Sequence, residues 1–292
     1  MAASLGLDPD TMIDLSASMN PFAPEVNDIA VRLLSGCSGP LHAYPDAAPA
    51  TAALARSIGV SPDRLVLTNG GAEAIALVAG HLRRGSIVDP EFSLYRRHLA
   101  EVAVDAPRWR SNPSNPMGDL AAPDEDAAVW DEAFYPLATG SWTRGDDLAW
   151  RLGSLTKLWN CPGLRLGYVI APSAHDADGV RAAQPTWAVN GLALALLPLL
   201  LELTDLARWA CQVSASRSAF ATDLAALGFA TTDTEVNWVL VDAPDLRARL
   251  APRGVVVRDC TSFGLPGRCR VAVPFERDLP RVLSAFAAVA PA

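Results

Sequence analysis

The chain has 292 residues, of which 50% are hydrophobic, and a formal net charge of -8. A chain of this length and hydrophobicity can bury a substantial core, and it suits a soluble globular enzyme with one large α/β domain and a smaller one. The acidic balance argues against a broad electropositive surface for nucleic acid, so any anion site must be a local pocket of basic residues.

The cysteines, the histidines and the N-terminus indicate no disulfide, metal or membrane chemistry. The five cysteines are an odd number without a CxxC pair, and none of the four histidines has metal-ligand or triad spacing. The N-terminus lacks a basic region before an apolar stretch, and the longest apolar run, at 192–203, is too short to cross a membrane. We therefore expect a cytoplasmic protein with no metal, nucleic-acid or membrane partner.

In chain order, apolar β-type runs alternate with alanine- and leucine-rich helical stretches, which predicts a mostly parallel sheet with helices on both faces. The first strand is predicted at 66–68 and the helix after it at 73–82. Further strands are predicted at 86–88, 127–130, 149–153 and 166–170. Glycine, proline or polar residues follow each strand, so functional residues are expected at the strand ends.

The pattern changes in the C-terminal part. A long apolar helix is predicted at 188–203, and a second helix at 206–227 leads into short strands at 237–241, 255–258 and 270–273 and a closing helix at 279–289. We therefore predict an N-terminal arm at 1–40, a large domain at 41–205 and a small α/β domain at 206–292.

Two loops of the predicted large domain have the composition of ligand-binding loops. The string 70–73, Gly-Gly-Ala-Glu, lies between a strand and a helix, so its N–H groups can attract a phosphate, although two glycines also suit a plain turn. Two Asn-Pro steps make the loop 112–118 rigid enough to hold an amide side chain in one orientation. A surface turn is the alternative for this second loop.

Two charged residues occur in predominantly apolar surroundings. Asp131 ends an apolar strand, where a carboxylate is costly unless it meets a cation or a strong donor such as a protonated pyridine nitrogen. A capping or core-paired aspartate is the alternative. Lys157 lies in a largely apolar segment between two predicted strands, and lysine is rarely buried unless it is paired or used chemically. Schiff-base formation is one such use.

Four strings together, at 70–73, 112–118, 128–134 and 154–168, resemble those of the fold-type I pyridoxal-phosphate enzymes. The similarity runs from about Asp14 to the C-terminus, and the order and spacing of all four strings agree. The branch that the chain resembles contains histidinol-phosphate aminotransferase and the threonine-phosphate decarboxylase of cobalamin biosynthesis. The resemblance implies an α/β fold of the aspartate-aminotransferase type and pyridoxal 5'-phosphate as the cofactor, held by the large domain.

The resemblance also assigns the cofactor contacts residue by residue. Lys157 would hold the cofactor as a Schiff base, and Asp131 would pair with its pyridinium nitrogen so that the ring accepts electrons from the substrate carbon. The other implied cofactor-binding residues are Gly71, Ala72, Ser154 and Arg165 for the phosphate, Asn115 for the ring oxygen, and Phe92 for the ring face.

Further residues would contact the substrate or a second subunit. Arg258 and Arg270 resemble arginines that bind anionic groups of the substrate, a role that suits the planar guanidinium. A surface position is the alternative for Arg258. Asn20 matches an Asn-Pro element that lies over the active site in this branch. Tyr44 resembles a residue that reaches the cofactor phosphate of the neighbouring subunit, which implies a homodimer.

The chain departs from the pattern in two places. Aminotransferases of this class carry tyrosine three positions after the pyridine-binding aspartate, where this chain has Phe134. The adjacent Tyr135 would point to the other side of an extended segment and would not replace that hydroxyl. The stretch 118–131 is also short, and relatives place a further helix and strand there.

Three functions are compatible with these residues. The leading hypothesis is decarboxylation of a phosphorylated amino acid, with threonine phosphate as the favoured substrate and aminopropanol phosphate as the product. The second is an aminotransferase of the histidinol-phosphate type, and the third is a non-catalytic binding protein with the cofactor fold. The cofactor supports either reaction, because the substrate bond that breaks is the one held perpendicular to the ring.

Overall fold

The structure, a computed structural model, describes residues 11–36 and 39–291. The predicted arm at 1–40 therefore lies partly outside the described residues, as does Ala292. The helices are α1 (Val26–Gly36), α2 (Gly39–His42), α3 (Ala48–Ile58), α4 (Gly71–Leu82), α5 (Leu94–His98), α6 (Tyr135–Thr139), α7 (Leu155–Leu158), α8 (Ala174–Ala183), α9 (Gly191–Glu202), α10 (Leu206–Ala226), α11 (Leu246–Leu250) and α12 (Leu279–Ala287). None of these described helices is long and apolar enough to cross a membrane.

The strands form three sheets. They are β1 (Ile13–Asp14), β2 (Leu65–Thr68), β3 (Arg84–Ile87), β4 (Glu101–Val102), β5 (Arg108–Ser111), β6 (Val129–Asp131), β7 (Trp150–Ser154), β8 (Gly167–Ile170), β9 (Ala230–Thr232), β10 (Trp238–Asp242), β11 (Val255–Val256), β12 (Arg258–Asp259) and β13 (Arg268–Ala272). The largest sheet has the order β2-β8-β7-β6-β5-β3-β4. Only β8 runs antiparallel to its neighbours there, so the prediction of a mostly parallel sheet is confirmed.

Helices cover both faces of this sheet because its inner strands bury both faces. Leu67 and Tyr168 point into one hydrophobic cluster with α3 and α9, whereas Val66 and Val169 point into another with α4 and α8. Alternate residues of a strand face opposite sides, so strands buried on both faces read as continuous apolar runs. This is why β2, β8 and their neighbours could be predicted from the sequence.

The C-terminal part forms a second core around a four-stranded antiparallel sheet of order β12-β13-β10-β9. The N-terminal strand β1 pairs in parallel with β11, and Ile13 and Leu15 pack in the same core as Phe286 of α12. The chain therefore begins its described part within the C-terminal core before it crosses to the large sheet. Residues of this crossing, within 14–19, line a cavity between the two sheets.

The short stretch between β5 and β6 contains no described helix, and charged side chains cover the sheet beside it. The Nη2 atom of Arg108 and the Nε atom of Arg110 lie 2.5 Å and 3.0 Å from Oε1 of Glu125. The guanidinium of Arg144 lies over the ring of Trp130 at 4.7 Å from its centroid. Arginine at alternate positions hides β5 from a search for apolar runs, so this central strand was not predicted.

Candidate active site

A cavity of about 470 Å³ opens where β6, β7 and the N-terminus of α4 face the C-terminal sheet. The carboxyl ends of neighbouring parallel strands meet at one edge of a sheet, which is where α/β proteins bind ligands. All of the predicted site residues except Asn20 and Tyr44 line this cavity. They are Gly71, Ala72, Phe92, Asn115, Asp131, Ser154, Lys157, Arg165, Arg258 and Arg270.

The N-terminus of α4 has the features of a phosphate site. Gly70 precedes the helix with φ 80° and provides no side-chain cap, so the first N–H groups of α4 have no acceptor within the helix. Those N–H groups and the helix dipole attract anions. The guanidinium of Arg165 lies against Gly70, since a Cβ added to Gly70 would be 2.4 Å from the Nη2 atom of Arg165. The hydroxyl of Ser154 lies near Gly71, since a Cβ added there would be 3.8 Å from Oγ of Ser154. Amide, hydroxyl and guanidinium donors therefore converge on one point.

Gly167 of β8 packs against this turn, and we expect its replacement by alanine to disturb the phosphate site. A Cβ there would lie 2.7 Å from the backbone C of Gly70 and N of Gly71, so the turn must shift. Overpacking of this kind costs about 1–3 kcal/mol, and we expect pyridoxal phosphate to bind about tenfold or more weakly. Fluorescence titration of the Gly167→Ala protein measures this.

Gly163→Ala is the matched control, because no atom outside its neighbours lies within 4 Å of the added Cβ. Its affinity for pyridoxal phosphate should match the unmodified protein. Equal affinities for both variants would show that the turn tolerates displacement and does not form the phosphate site.

Asp131 presents a carboxylate to the cavity at the end of β6. Oδ2 accepts a hydrogen bond of 2.8 Å from the hydroxyl of Tyr95, and Oδ1 accepts one of 3.1 Å from the N–H of Ala133. Burial raises the pKa of Asp131, and the two hydrogen bonds oppose that rise. The carboxylate is thus fixed in orientation, and among the described residues no cation pairs with it, so a protonated ring nitrogen could occupy that place.

Lys157 lines the same cavity as Asp131, from the short helix α7 after β7. Its Nζ donates a hydrogen bond of 2.7 Å to the carbonyl of Ala17 and lies 5.8 Å from the centroid of the Phe134 ring. Burial, followed by the positive charge of Arg270, lowers the pKa of Lys157 from 10.5 to about 8. A substantial fraction of this amine is therefore neutral, and hence nucleophilic, near physiological pH.

This lowered pKa gives a testable pH dependence. A neutral amine is the reactive form, so covalent attachment of pyridoxal phosphate to the apoprotein should accelerate through a midpoint of about pH 8 and level off above it. Stopped-flow absorbance between pH 6 and 10 measures the rate. Acetyl-lysine treated in parallel corrects for the titration of the cofactor itself. A midpoint that coincides with that of acetyl-lysine would contradict the lowered pKa.

Arg270 of β13 reaches the cavity from the C-terminal sheet with a buried side chain. Its Nη1 donates to Oδ1 of Asn115 at 2.7 Å, and its Nη2 donates to the carbonyl of Ser16 at 2.9 Å. Within the described part of the chain, the buried Nε atom has no acceptor. Burial lowers the pKa of Arg270 to about 10. A buried guanidinium with only neutral partners favours an anionic ligand.

Arg258 of β12 stands directly opposite Arg270 in the antiparallel register, so both side chains lie on the same face of the sheet. Its Nη2 donates to Oγ of Ser262 at 3.1 Å, and its guanidinium lies 5.3 Å from the centroid of the Phe263 ring. Like charges directly opposite each other are destabilising in a sheet. An anion between the two arginines would relieve this repulsion.

Aromatic side chains form the apolar part of the cavity wall. Phe92 lies edge-on to Tyr95, with ring centroids 5.9 Å apart, and Phe134 lies edge-on to Trp238 at 4.8 Å. Trp238 also lies under the guanidinium of Arg270, 4.8 Å from its ring centroid. Phe134 therefore gives this part of the cavity wall a packed, apolar ring.

Asn20 and Tyr44 lie outside the cavity wall. The Asn20 side chain is buried and bonded to backbone, with Nδ2 donating to the carbonyl of Leu158 at 2.9 Å and Oδ1 accepting from Phe22 at 3.0 Å. The backbone N–H of Asn20 donates to the carbonyl of Lys157 at 3.1 Å, so Asn20 holds the backbone of the lysine and does not face the cavity. Tyr44 is 78% exposed and stacks on Trp187, with ring centroids 4.2 Å apart.

Several residues in the cavity wall or directly behind it were not predicted. Tyr95, which holds Asp131, falls within the string 90–95 and follows Phe92 by three positions, a spacing that could have indicated it. Ser111 ends the unpredicted strand β5, and Asp14 and Phe263 also line the cavity. Nothing in their local sequence distinguishes these three residues.

The residues present fit pyridoxal phosphate. The helix N-terminus with Ser154 and Arg165 suits the phosphate, the buried carboxylate of Asp131 suits a protonated ring nitrogen, and Lys157 suits the aldehyde carbon. Oδ1 of Asn115 is occupied by Arg270, which leaves the amide NH2 group as the donor for the ring oxygen. The described residues contain no cluster that could hold a metal ion.

Comparison with known proteins gives the class and the family. The model of the family "Aminotransferase class I and II" matches residues 109–286. Threonine-phosphate decarboxylase of Salmonella typhimurium is 30% identical over 345 residues, covering 98% of this chain and 93% of that protein. Histidinol-phosphate aminotransferase of Haloarcula marismortui is 28% identical over 335 residues, covering 97% and 91%.

A solved structure agrees in fold. Histidinol-phosphate aminotransferase from Sinorhizobium meliloti, in complex with pyridoxal-5'-phosphate, superposes with a TM-score of 0.81 at 16% identity, covering 99% of this chain and 92% of that one. The fold and the comparisons together define a pyridoxal-phosphate protein of the aspartate-aminotransferase fold. The chain belongs to the class I and II aminotransferase family.

Proposed function

We propose that the protein decarboxylates a phosphorylated amino acid, with threonine phosphate as the favoured substrate and aminopropanol phosphate and carbon dioxide as the products. The observation that carries this proposal is the pair Arg258 and Arg270, which stand opposite each other on one face of the C-terminal sheet and line the cavity. Two cations at one site suit a substrate with both a carboxylate and a phosphate. Within a chain of net charge -8, such a site is a specific feature of the cavity.

Phe134 supports decarboxylation over transamination. In aminotransferases of this class a tyrosine at this position donates a hydroxyl to the cofactor ring oxygen, and phenylalanine there resembles the decarboxylase branch. Its ring has no hydroxyl to offer the cofactor and packs on Trp238, with centroids 4.8 Å apart. We infer that the reaction does not need that hydroxyl.

Each remaining residue has a role that its contacts support. When bound, pyridoxal phosphate supplies the electron sink for the bond that breaks at Cα. The α4 N-terminus, Ser154 and Arg165 would anchor its phosphate, and Asp131 would hold the ring nitrogen in its protonated form. With a pKa of about 8, Nζ of Lys157 can hold or release a proton close to Cα at neutral pH.

Incubation of the purified holoenzyme with threonine phosphate tests the proposal. We expect release of carbon dioxide and one equivalent of aminopropanol phosphate, without a requirement for a keto acid. Unphosphorylated threonine is the matched control and should react far more slowly. Absence of carbon dioxide release from every phosphorylated amino acid tested would overturn the proposal.

An aminotransferase of the histidinol-phosphate type is the second candidate. The similarity to relatives of that name supports it, as does a lysine whose pKa of about 8 allows it to move protons in either direction. Conversion of the bound cofactor to pyridoxamine phosphate by histidinol phosphate, reversed by a keto acid, would favour this reading. A protein that bound the cofactor and turned over neither substrate would favour the non-catalytic alternative.

We further propose that the active unit is a cytoplasmic homodimer. Tyr44 is exposed, stacks on the exposed Trp187 and lies outside its own cavity, so any contact with a cofactor would be with that of a second copy. Leu41 of α2 is also exposed and adds apolar area to the same segment. Sedimentation velocity should give a dimer mass, and a monomer at assay concentration would contradict the assignment.

A further inference from the structure

Glu91 is a buried carboxylate behind the cavity wall, in the connection between β3 and α5. Its side chain is only 8% exposed and accepts three hydrogen bonds. Oε1 accepts from the N–H of Ser111 at 2.7 Å, and Oε2 accepts from the hydroxyl of Ser111 at 2.6 Å and from the N–H of Phe92 at 3.0 Å. Glu91 therefore holds two residues that line the cavity, without lining it itself.

The hydrogen bonds continue from Ser111 to the substrate side of the cavity. The Ser111 hydroxyl donates its hydrogen bond to Glu91, so the Ser111 oxygen remains free to accept. It accepts a hydrogen bond from the backbone N–H of Asn115 at 2.8 Å. Oδ1 of Asn115 accepts from Arg270 at 2.7 Å. The series runs from a connection beside β3, through the end of β5 and the loop after it, to β13 of the C-terminal sheet.

The two ends of this series fix the direction of every bond within it. An ionised carboxylate only accepts and a guanidinium only donates. Ser111 must therefore donate to Glu91, which leaves its oxygen to accept the backbone N–H of Asn115. At the other end, Arg270 turns the side-chain oxygen of Asn115 towards itself and the NH2 group away. Asn115 thus offers a donor, rather than an acceptor, for the cofactor ring oxygen.

Few charges stabilise the ionised form of Glu91. Burial, with a smaller contribution from the nearby Asp131 of β6, raises the pKa of Glu91 to about 7, and the hydrogen bonds from Ser111 and Phe92 oppose that rise. Tyr95 of α5 is a neutral neighbour of Glu91. The cation that interacts with Glu91 is the guanidinium of Arg110 of β5. The charge of Glu91 is retained mainly by its three donors, so loss of the charge should release them.

We propose that Glu91 is a positioning residue for the cofactor. It acts through Ser111 on the backbone of Asn115, and so holds that residue where its side-chain NH2 group, oriented by Arg270, faces the ring oxygen. The inference rests on the contact between Asn115 and the cofactor that is proposed above. It predicts that Glu91 affects recognition of the ring oxygen specifically, and not merely the stability of the fold.

Binding of two cofactor forms tests the proposal without any measurement of turnover. Pyridoxal phosphate carries the ring oxygen, and 3-deoxypyridoxal phosphate lacks it. The ratio of the two dissociation constants, divided by the same ratio for acetyl-lysine, reports the protein's contact with that oxygen, because the division removes the internal hydrogen bond between the ring oxygen and the imine. We expect the unmodified protein to favour pyridoxal phosphate by about tenfold on this corrected ratio, as one hydrogen bond does. Glu91→Gln should reduce this ratio to near one, because an amide cannot accept all three hydrogen bonds. Asn115→Ala should also reduce the ratio to near one.

Glu132→Gln is the matched control. Glu132 is also buried and its pKa is also raised to about 7 by burial, but it accepts from the N–H of Arg144 at 2.7 Å and has no bond to Ser111. Its variant should keep the ratio of the unmodified protein. In the unmodified protein the ratio should also fall as the pH falls through about 7, and Glu91→Gln should abolish that dependence.

Three outcomes would overturn the proposal: an unchanged ratio in Glu91→Gln, an equal loss in Glu132→Gln, or no preference in the unmodified protein. If Glu91→Gln does not fold, Ser111→Ala interrupts the same series and must give the same loss. Failure of the unmodified protein to bind either cofactor form would instead contradict the proposed function, and the two failures are therefore distinguishable.

Discussion

Replacement of Lys157 by alanine is expected to abolish covalent attachment of the cofactor and to lower turnover by about 10³-fold or more. The side chain would lose both roles that its position supports, those of nucleophile towards the cofactor and of proton carrier at Cα, and the second role alone contributes about 10²–10⁴-fold. The hydrogen bond from Nζ to the carbonyl of Ala17 is also lost. Absorbance and steady-state rates of the purified variant measure the effect.

Lys157→Arg is the matched control for charge. It retains a cation in the same place but cannot form the covalent link, so its turnover should be as low as that of Lys157→Ala. Added methylamine should partly restore turnover in the alanine variant, because a small amine can occupy the vacated space and carry protons. Turnover by either variant at the unmodified rate would show that Lys157 is not the attachment point.

The second large effect is expected for Arg270→Gln, which should lower kcat/KM for threonine phosphate by about 100-fold. Removal of one partner from a buried charged pair costs about 2–5 kcal/mol, and Arg270 is the buried cation of the cavity. The loss should fall chiefly on KM if the arginine binds an anionic group that persists through the reaction. Arg270→Lys should recover only part of the loss, because an ammonium lacks the planar fork.

Arg268→Gln provides the comparison on the same strand. Arg268 is partly exposed and pairs with Asp242 at 2.6 Å outside the cavity lining, so its variant should keep kcat/KM within about twofold of the unmodified protein. Thermal unfolding of both variants separates loss of binding from loss of fold. Equal kcat/KM for Arg270→Gln and the unmodified protein would remove Arg270 from the substrate site.

The cofactor cavity could be predicted largely because its signals are local. Lys157 and Arg165 belong to one short string, and a strand-to-helix turn with two glycines marks the start of α4 wherever it lies in the fold. The sequence pattern also indicated the buried strands β2, β7 and β8, since strands covered on both faces are continuously apolar.

Contacts between distant parts of the chain could not be predicted in this way. Asn115 and Arg270 are 155 residues apart in sequence, and Tyr95 and Asp131 are 36 apart. The first pair depends on the packing of β13 against the loop after β5, and the second on the packing of α5 against β6. Local periodicity holds no information on either contact. The strand β5 itself was missed because its outward arginines pair with Glu125 in place of apolar contacts.

The domain boundaries remain a prediction, although one contact bears on them. Ile13 and Leu15 pack within the C-terminal core, so the described start of the predicted arm shares a core with the predicted small domain. A short strand such as β1, with two residues, carries too little pattern to be recognised in sequence. Its pairing with β11 is visible only in the fold.

The central claim, that Lys157 attaches pyridoxal phosphate, is tested most directly by reduction of the holoenzyme with borohydride followed by peptide mapping. We expect the visible absorbance band to disappear irreversibly and one peptide, containing Lys157, to carry the reduced cofactor. A cofactor-modified peptide that contains a different lysine or none, or a protein that binds no cofactor when supplied with an excess, would contradict it.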